Sequence, residues 1–414
     1  MRKTIIVLLA LFFAAQSGHA SAEALSAHGF VQGNYSANID SANPDNGNYK
    51  WSEERGQLKL EASKDPVRFF LKADAFYGHL DEKADVELRE GYLDYTSGSW
   101  DLRAGRQVLT WGVGDMVFIN DVFPKDYEAF FSGRPMEYLK KGVDAIKAGV
   151  YPDLASFELV VIPFFEPNNY PAAKRFWMYD PMPTVTNRVT DQPVSKPANT
   201  ELALRAYRDI IGFDTSFYFY KGYYRQPSMT PDSFTAPSRI TFSYPGLLVY
   251  GASAQGAVAG GVASVEAGYW ASQDDAKGTN PLVPNSEVKF LGGYQRQIAE
   301  DLTAGAQYMG EYMADYGAYE STRMQGFPKE PRYKQLVSVR AQYLLMHQTL
   351  RLGWFNFWSP TDKDYLINPE IRYNFTDHVW GALGVNFFGG AKDTTRFGSL
   401  DRNDNVYTQL RYEL

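Results

Sequence analysis

Residues 100–142 read WDLRAGRQVLTWG followed by VGDMVFINDVFPKDYEAFFSGRPMEYLKKG, and the way this stretch divides decides the fold. Its opening alternates. Leu102 and Ala104 lie on one face and Asp101 and Arg103 on the other, the period-two pattern of a half-buried strand. From Gly112 onward the alternation is lost for about thirty residues, a length that is functional or disordered when it carries no regular structure. Phe118, Phe123, Phe130, Phe131 and Tyr138 make this segment too aromatic for disorder. The combination predicts a barrel strand feeding a loop, 112–141, that folds into the barrel's own lumen.

Outward from this stretch, alternating segments of ~9–12 residues recur in both directions, as transmembrane strands require. Eighteen candidate strands lie near residues 27–37, 51–63, 67–77, 86–96, 100–111, 142–151, 156–165, 200–208, 212–222, 246–258, 261–272, 286–298, 302–313, 333–345, 349–358, 365–375, 379–389 and 405–414. Tight turns fall at Lys64-Asp65, Ser97-Gly98-Ser99, Pro152-Asp153, Asp209, Ala259-Gly260, Glu300-Asp301, Met346-His347 and Thr376-Asp377. These eight and the nine mostly longer separators are what eighteen strands need when both chain termini are periplasmic. The expected fold is all-β: a transmembrane antiparallel up-and-down β-barrel of about 18 strands, or 16 if one or two boundaries are wrong, with a long third outer loop folded inward.

The two faces are legible strand by strand. Leu58, Leu60 and Ala62 alternate with Gln57, Lys59 and Glu61. Val67, Phe69, Leu71 and Ala73 alternate with Arg68, Lys72 and Asp74, and Leu202, Leu204 and Ala206 flank Arg205. Val337, Val339, Ala341 and Tyr343 oppose Ser338, Arg340 and Gln342. Ile367, Ile371, Tyr373 and Phe375 oppose Asn368, Glu370 and Arg372. A charge facing lipid at mid-bilayer costs ~2–4 kcal/mol, so the charged face belongs to the lumen. A lumen that polar is wet or plugged, and a barrel of this size is wide enough for an aqueous channel.

Composition agrees. There is no cysteine, which excludes a lipoprotein anchor, disulfide stapling and self-attached c-type haem. The chain holds 29 Tyr, 27 Phe and 35 Gly; in a sequence too polar for membrane helices, that abundance favours a barrel with aromatic girdles over a soluble β-sandwich or solenoid. Residues 1–22 read as a secretory signal peptide, with Arg2 and Lys3, an apolar run from Thr4 to Ala15, and Ala20-Ser21-Ala22 before Glu23. That run is shorter than the ~18–20 residues of a spanning helix, and the barrel is assigned to 23–414. Losing the leader moves the formal charge from −7 to −9, which argues against nucleic acid as a partner. No cofactor and no metal are expected: Asp40, Asp45, Asn46, Asp401 and Asp404 fall on outer loops, but their spacing matches no calcium loop and reads as solvated turns. The proline-rich loop from Glu166 to Ala198 reads as a shaped surface loop, either a lid over the mouth or a protective cover.

The last strand, NDNVYTQLRYEL, places Val406, Thr408, Leu410, Tyr412 and Leu414 on one face. It resembles the C-terminal signal read by the outer-membrane barrel assembly machinery, with Leu414 where Phe is usual. LRAGRQVLTWG with its long acidic loop resembles the fifth-strand-to-third-loop passage of outer-membrane porins, the general porins included. The Gly-Arg-Gln element is also similar to that of alginate-export-type barrels, and YNFTDHVWGALGVNFFGG to the late hairpins of the same families. The resemblance implies a diffusion channel in which wall arginines face loop carboxylates across the narrowest point. It makes Arg106 the constriction arginine and Asp115, Asp121, Asp126 and Glu128 the candidate carboxylates, although the loop motif of the general porins is absent. Strict alternation puts Arg106 on the lipid side with Leu102 and Ala104, so a bulge at Gly105 is required to re-aim it; without one, Arg103 takes the part.

Apart from that resemblance, Arg55, Lys59, Arg68, Lys72, Arg103 and Arg205 read as inward, with Lys147 joining them from a strand that alternates poorly. They either pair with Glu61, Asp74 and Asp101 to solvate the lumen or line the pore as a cluster. A basic wall opposite an acidic loop makes a transverse field that favours dipolar or charged solutes.

An enzyme barrel generally needs a histidine base. Beyond the leader only His28, His79, His347 and His378 remain, none beside a trio of Ser, Asp and Asn at one level, so no catalysis is expected. A TonB-dependent receptor or a transporter of hydrophobic solutes calls for an N-terminal plug, which does not fit a first strand starting near residue 27. The reading is a channel of the cell outer membrane for passive diffusion of small polar or charged solutes, constricted by 112–141. Its expected partners are outer-membrane lipid and lipopolysaccharide, the solutes and the assembly machinery, with a homo-oligomer left open. The alternative is a selective transporter or exporter of an anionic oligosaccharide or of an apolar compound gated by Phe118, Phe123, Phe130 and Phe131.

Overall fold

The computed structural model describes residues 25–324 and 327–414; the expected leader lies outside them. In chain order the strands are β1 (Ser26–Asn38), β2 (Tyr49–Lys64), β3 (Val67–Gly78), β4 (Lys83–Ser97), β5 (Trp100–Val108), β6 (Gly142–Val150), β7 (Ser156–Ile162), β8 (Arg188–Asp191), β9 (Glu201–Ile210), β10 (Phe213–Tyr223), β11 (Ser228–Pro231), β12 (Ile240–Ser243), β13 (Gly246–Val258), β14 (Gly261–Ser272), β15 (Glu287–Ala299), β16 (Leu302–Met313), β17 (Tyr333–Leu345), β18 (Leu350–Ser359), β19 (Asp364–Asn374), β20 (Val379–Gly390) and β21 (Asn405–Glu413). Eighteen of them form one sheet, each antiparallel to its sequence neighbours, and β21 pairs with β1 from Phe30↔Glu413 to Asn38↔Asn405, so the sheet closes. Closure removes both exposed edges, the only way a sheet can satisfy its backbone in lipid. The three short strands β8, β11 and β12 make a separate sheet within the outer loops.

The eighteen expected spans are all present, with shifts at their ends. The fifth strand stops at Val108 and not at 111. One hairpin turns at Ile211-Gly212, two residues past the expected Asp209, because those two residues take the left-handed backbone, φ 55° and 80°. Paired left-handed residues match the twist of the flanking strands, and Ala259-Gly260 repeats the device with φ 47° and 76°. The loop 166–198 does contribute a strand: β8 runs parallel to β12.

The outward faces carry exposed Val31, Leu58, Ile146, Leu204, Val265, Ile371 and Leu410, an apolar belt. Tyr77, Tyr269, Tyr312, Trp358 and Tyr365 stand exposed toward one end, and Tyr95, Trp100, Tyr343, Tyr373 and Tyr412 toward the other, as membrane-interface girdles. Three register shifts interrupt the ladder among the described residues, one of them between Gln297 and Ala299 in β15; the other two bury a charged side chain. The β3–β4 register shifts between Lys72 and Ala73, leaving Arg89 unpaired and buried. The β1–β2 register shifts between Ser36 and Ala37, and Lys50 is fully buried beside it.

The apolar core lies inside the lumen. Leu109, Trp111, Val122 and Phe123 of the loop 109–141, hereafter L3, pack against Val143, Val160, Ile162, Ala203, Tyr218, Leu247 and Val249 of the wall. On the far side Val117 and Ile119 meet Leu291, Met309, Leu336, Phe355 and Phe357. Each such side chain contributes about 1.5–3 kcal/mol when buried, which is why a segment without regular structure holds one position in a wide barrel.

Candidate functional site

L3 leaves β5, crosses the lumen and returns to β6 by way of the far wall. Its first limb ends against β14. The Glu266 carboxylate accepts the backbone N–H groups of Val113 (2.7 Å), Gly114 (3.1 Å) and Asn120 (2.7 Å). Gly112 has φ 77°, and a Cβ there would lie 2.6 Å from Glu266 Oε1, so glycine is what lets the backbone approach the carboxylate. At the tip, Asp115 N–H donates to Gln307 Oε1 (2.8 Å) and Gln307 Nε2 donates back to Asp115 O (2.9 Å). The Asp115 carboxylate receives Arg340 Nη1 of β17 at 2.7 and 2.8 Å.

The chain then turns back through a short helix, α1 (Tyr127–Phe131), capped by Asp126, whose side chain accepts from Ala129 N–H at 2.8 Å. Phe130 meets Phe355 and Phe131 meets Phe388 edge to face. The second limb docks on the barrel's closing strands. Phe131 O accepts from Asn386 and Asn405, both at 3.1 Å. Gly133 O accepts from Gln409 (2.8 Å) and Asn34 (3.4 Å). Arg411 Nη2 reaches Glu137 Oε1 at 2.6 Å, and the bulged Arg89 donates to Glu137 O at 2.8 Å. Arg134 is stacked between Trp51 and Tyr138, its guanidinium carbon 4.6 and 4.5 Å from the two ring centres.

Of the four loop carboxylates expected at the constriction, Asp115 is the one set at the lumen, partly exposed beside Arg340. The other three hold L3 together. Asp121 is buried with Lys125 Nζ at 2.9 Å and Lys140 Nζ at 3.4 Å, and burial pulls the Lys125 ammonium below the ordinary lysine range against the attraction of Asp121. Asp126 is the helix cap. Glu128 accepts Ala172 N–H at 3.1 Å from the outer loop 163–200, and burial pushes its carboxyl above the ordinary range.

On the wall, Arg68, Lys72, Asp74, Arg103, Lys147 and Arg205 all face inward, and each has an opposite charge beside it. Arg68 meets Glu61 (2.9 Å) and Asp94 (3.8 Å), and Arg103 takes Asp94 at 2.6 Å. Lys72 lies 3.3 Å from Glu90, and Glu158 sits between Lys147 and Arg205, 3.5 Å from each. Asp74 is fully buried under Arg55 (2.6 Å) and Gln57 (2.9 Å). The wall from β2 to β9 is therefore a ladder of alternating charges and not a uniformly basic surface.

Arg106 requires correction. The β4–β5 and β5–β6 registers run unbroken through Gly105, Tyr92↔Gly105↔Ala145, so the bulge that would have turned it inward is absent. Gln107 is the inward neighbour and is fully buried. Arg106 stands on the outer surface near the rim, with Asp144 at 3.6 Å and Glu166 at 3.8 Å. Sequence reasoning also left out Glu266, Gln307, Arg351, Arg411 and the anchoring amides. Arg340 and Arg372 were visible as inward by alternation but were not singled out. Arg351 pairs with Glu370 at 2.7 Å, whereas the Arg372 guanidinium lies 3.9 Å from the centre of the Trp380 ring.

Above L3 the outer loops enclose a cavity of about 1700 Å³, floored by Met116, Phe118, Tyr127, Phe130 and Phe131. Across its wall runs a charged file: Glu287 and Glu311 lie 3.0 and 3.4 Å from Lys289, and Arg396 lies 3.5 Å from Glu311. Among the described residues, no group of three or more His, Asp or Glu is arranged to hold a metal ion.

No protein-family model matches the chain, and no curated protein matches it in sequence. Its fold does match solved outer-membrane porins. OccK11 of Pseudomonas aeruginosa aligns over 94% of this chain and 96% of its own, at TM-score 0.55 and 11% identity. OccAB1 of Acinetobacter baumannii aligns over 96% and 98%, at 0.56 and 10%. OccD3 of P. aeruginosa aligns over 96% and 94%, also at 0.56 and 10%. The fold is thus that of an outer-membrane porin-like barrel.

Proposed function

We propose that this protein is an outer-membrane channel through which small polar or charged solutes diffuse, with L3 as its constriction. The observation that carries the reading is the fixing of L3 across the lumen at Glu266, Gln307 and Arg340, above a wall of alternating charges. An isolated ion pair in a dry interior is costly, so a wall of this kind fits a water-filled lumen. Arg68, Lys72, Arg103, Lys147 and Arg205, with their acids, would conduct a solute along paired sites of both signs. The field across the constriction would come from Asp115 and Arg340 and not from Arg106. The match to Occ structures supports the channel reading by fold alone.

A second reading, uptake of a solute with an apolar part, is favoured by the aromatic floor of the outer cavity. Single-channel recording of the refolded protein in a planar bilayer under a salt gradient tests the first reading. Discrete steps with a weak charge preference are expected, because the wall charges are balanced. A folded protein that never conducts would overturn it. Block of the current by aromatic solutes added from the loop side, and not by sugars, would support the second.

A further inference from the structure

We propose that Glu266 is the latch that sets the position of L3, and that the turn Val113–Asn120 is a carboxylate-binding nest occupied by this side chain from the opposite wall. The inference deepens the channel reading and rests on it for its effect on conduction. Three backbone N–H groups from residues 113, 114 and 120 converge on one carboxylate. Convergent backbone donors of this kind make an anion site. Glu266 is 3% exposed, and no salt bridge pairs it among the described residues, so its negative charge is met by these N–H groups and not by a cation.

The local sequence serves the same contact. Gly112 allows the backbone to pass against the carboxylate, and a Cβ on Gly114 would lie 2.2 Å from Val117 O, so the pair Gly112 and Gly114 shapes the nest. Asn120 Nδ2 donates to Ala267 O (3.1 Å), and Trp270 Nε1 donates to Ile119 O (3.1 Å). These neutral bonds hold the same limb beside β14 but leave the three N–H groups to Glu266 alone. Removing the carboxylate strands buried donors, which the limb must then turn toward water. L3 would leave the far wall at its first limb while its second limb stayed docked.

The test compares wild type with Glu266→Ala, Glu266→Gln and Glu266→Asp, each first shown to be a folded barrel by heat-modifiable migration on a gel. Hydrogen exchange in detergent reads the latch without any need for conduction. Exchange at Val113, Gly114 and Asn120 should speed up at least tenfold in Glu266→Ala and Glu266→Gln and less in Glu266→Asp, with the amide N–H groups of Ser132 and Arg134 unchanged. In the bilayer the Ala variant should flicker and change its mean conductance by twofold or more. Acetate supplies the atoms that Ala lacks, and at equal ionic strength it should restore the wild-type trace where chloride does not. Unchanged exchange in Glu266→Ala and Glu266→Gln would overturn the latch. Exchange that quickens but does not slow again in acetate would overturn the nest. A wild-type barrel that is protected at these amides but does not conduct would instead count against the channel reading.

Discussion

Where L3 meets β14, one carboxylate receives three backbone N–H groups; where it meets the closing strands, four uncharged amides share two carbonyls. The first anchorage is concentrated on one carboxylate; the second is distributed over these neutral amides and the pair Arg411–Glu137. A hydrogen bond to a charged group is worth about 1.5–3 kcal/mol and a neutral one about 1. One substitution can therefore undo the first limb, while the second should survive the loss of any single amide. Its weak point is backbone shape.

The comparison can be broken at four places. The largest effect is expected from Gly133→Ala. Gly133 has φ 71°, and a Cβ there would lie 2.1 Å from Tyr407 Cδ1. The left-handed backbone alone costs about 1–3 kcal/mol for a residue with a side chain, so the second limb should come off β21. Limited proteolysis within residues 130–137 should become rapid. Asn405→Ala should be milder, about 1 kcal/mol, because Asn386 still serves Phe131 O; its conductance should match wild type. If Asn405→Ala alone opened the channel as Glu266→Ala is expected to, the distinction between the limbs would fail. Third, Asp115→Asn should shift permeability toward anions and Arg340→Ala toward cations. Each shift should be about twofold, in keeping with the ~0.2–1 kcal/mol of an exposed pair, and reversal potentials in a salt gradient would measure both.

The smallest effect concerns Asp404, in the outer loop before β21. Burial, helped by Asp401 and Asp40, pushes its carboxyl up to about 6 despite the N–H of Phe388. A raised carboxyl favours the neutral form in the fold. Asp404 thus costs nothing below about pH 4, where it is protonated in both states, and its penalty grows as pH rises to about 6 and then levels. After solvent screening the effect stays below about 1 kcal/mol. Asp404→Asn should remove the difference in melting temperature between pH 5 and pH 8 that this group contributes.

The strands were legible because alternation is a local property: Leu58 against Lys59, or Val67 against Arg68, already states which face is which. Inward folding of 112–141 was legible too, since Phe118, Phe123 and Phe130 had nowhere else to be buried. What stayed hidden depends on a single inserted residue or a distant partner. The bulge that turns Arg89 into the lumen lies one strand away from the glycine where a bulge was expected. Asp121, Asp126 and Glu128 carry the same charge as Asp115, and only contacts with Lys125, Ala129 and Ala172 separate loop braces from a lumen acid. Glu266 is one acid on a strand of small residues, and nothing local to it names the loop it holds.

The carbonyl of Gly133 takes its two amides from β21 and β1, the strands that meet to complete the circle, and Arg411 of β21 ties Gln32 of β1 at 2.7 Å while also reaching Glu137. L3 is thus a keystone set across the seam. A barrel that closed with L3 outside would lack not only its constriction but also the bolts on its own joint.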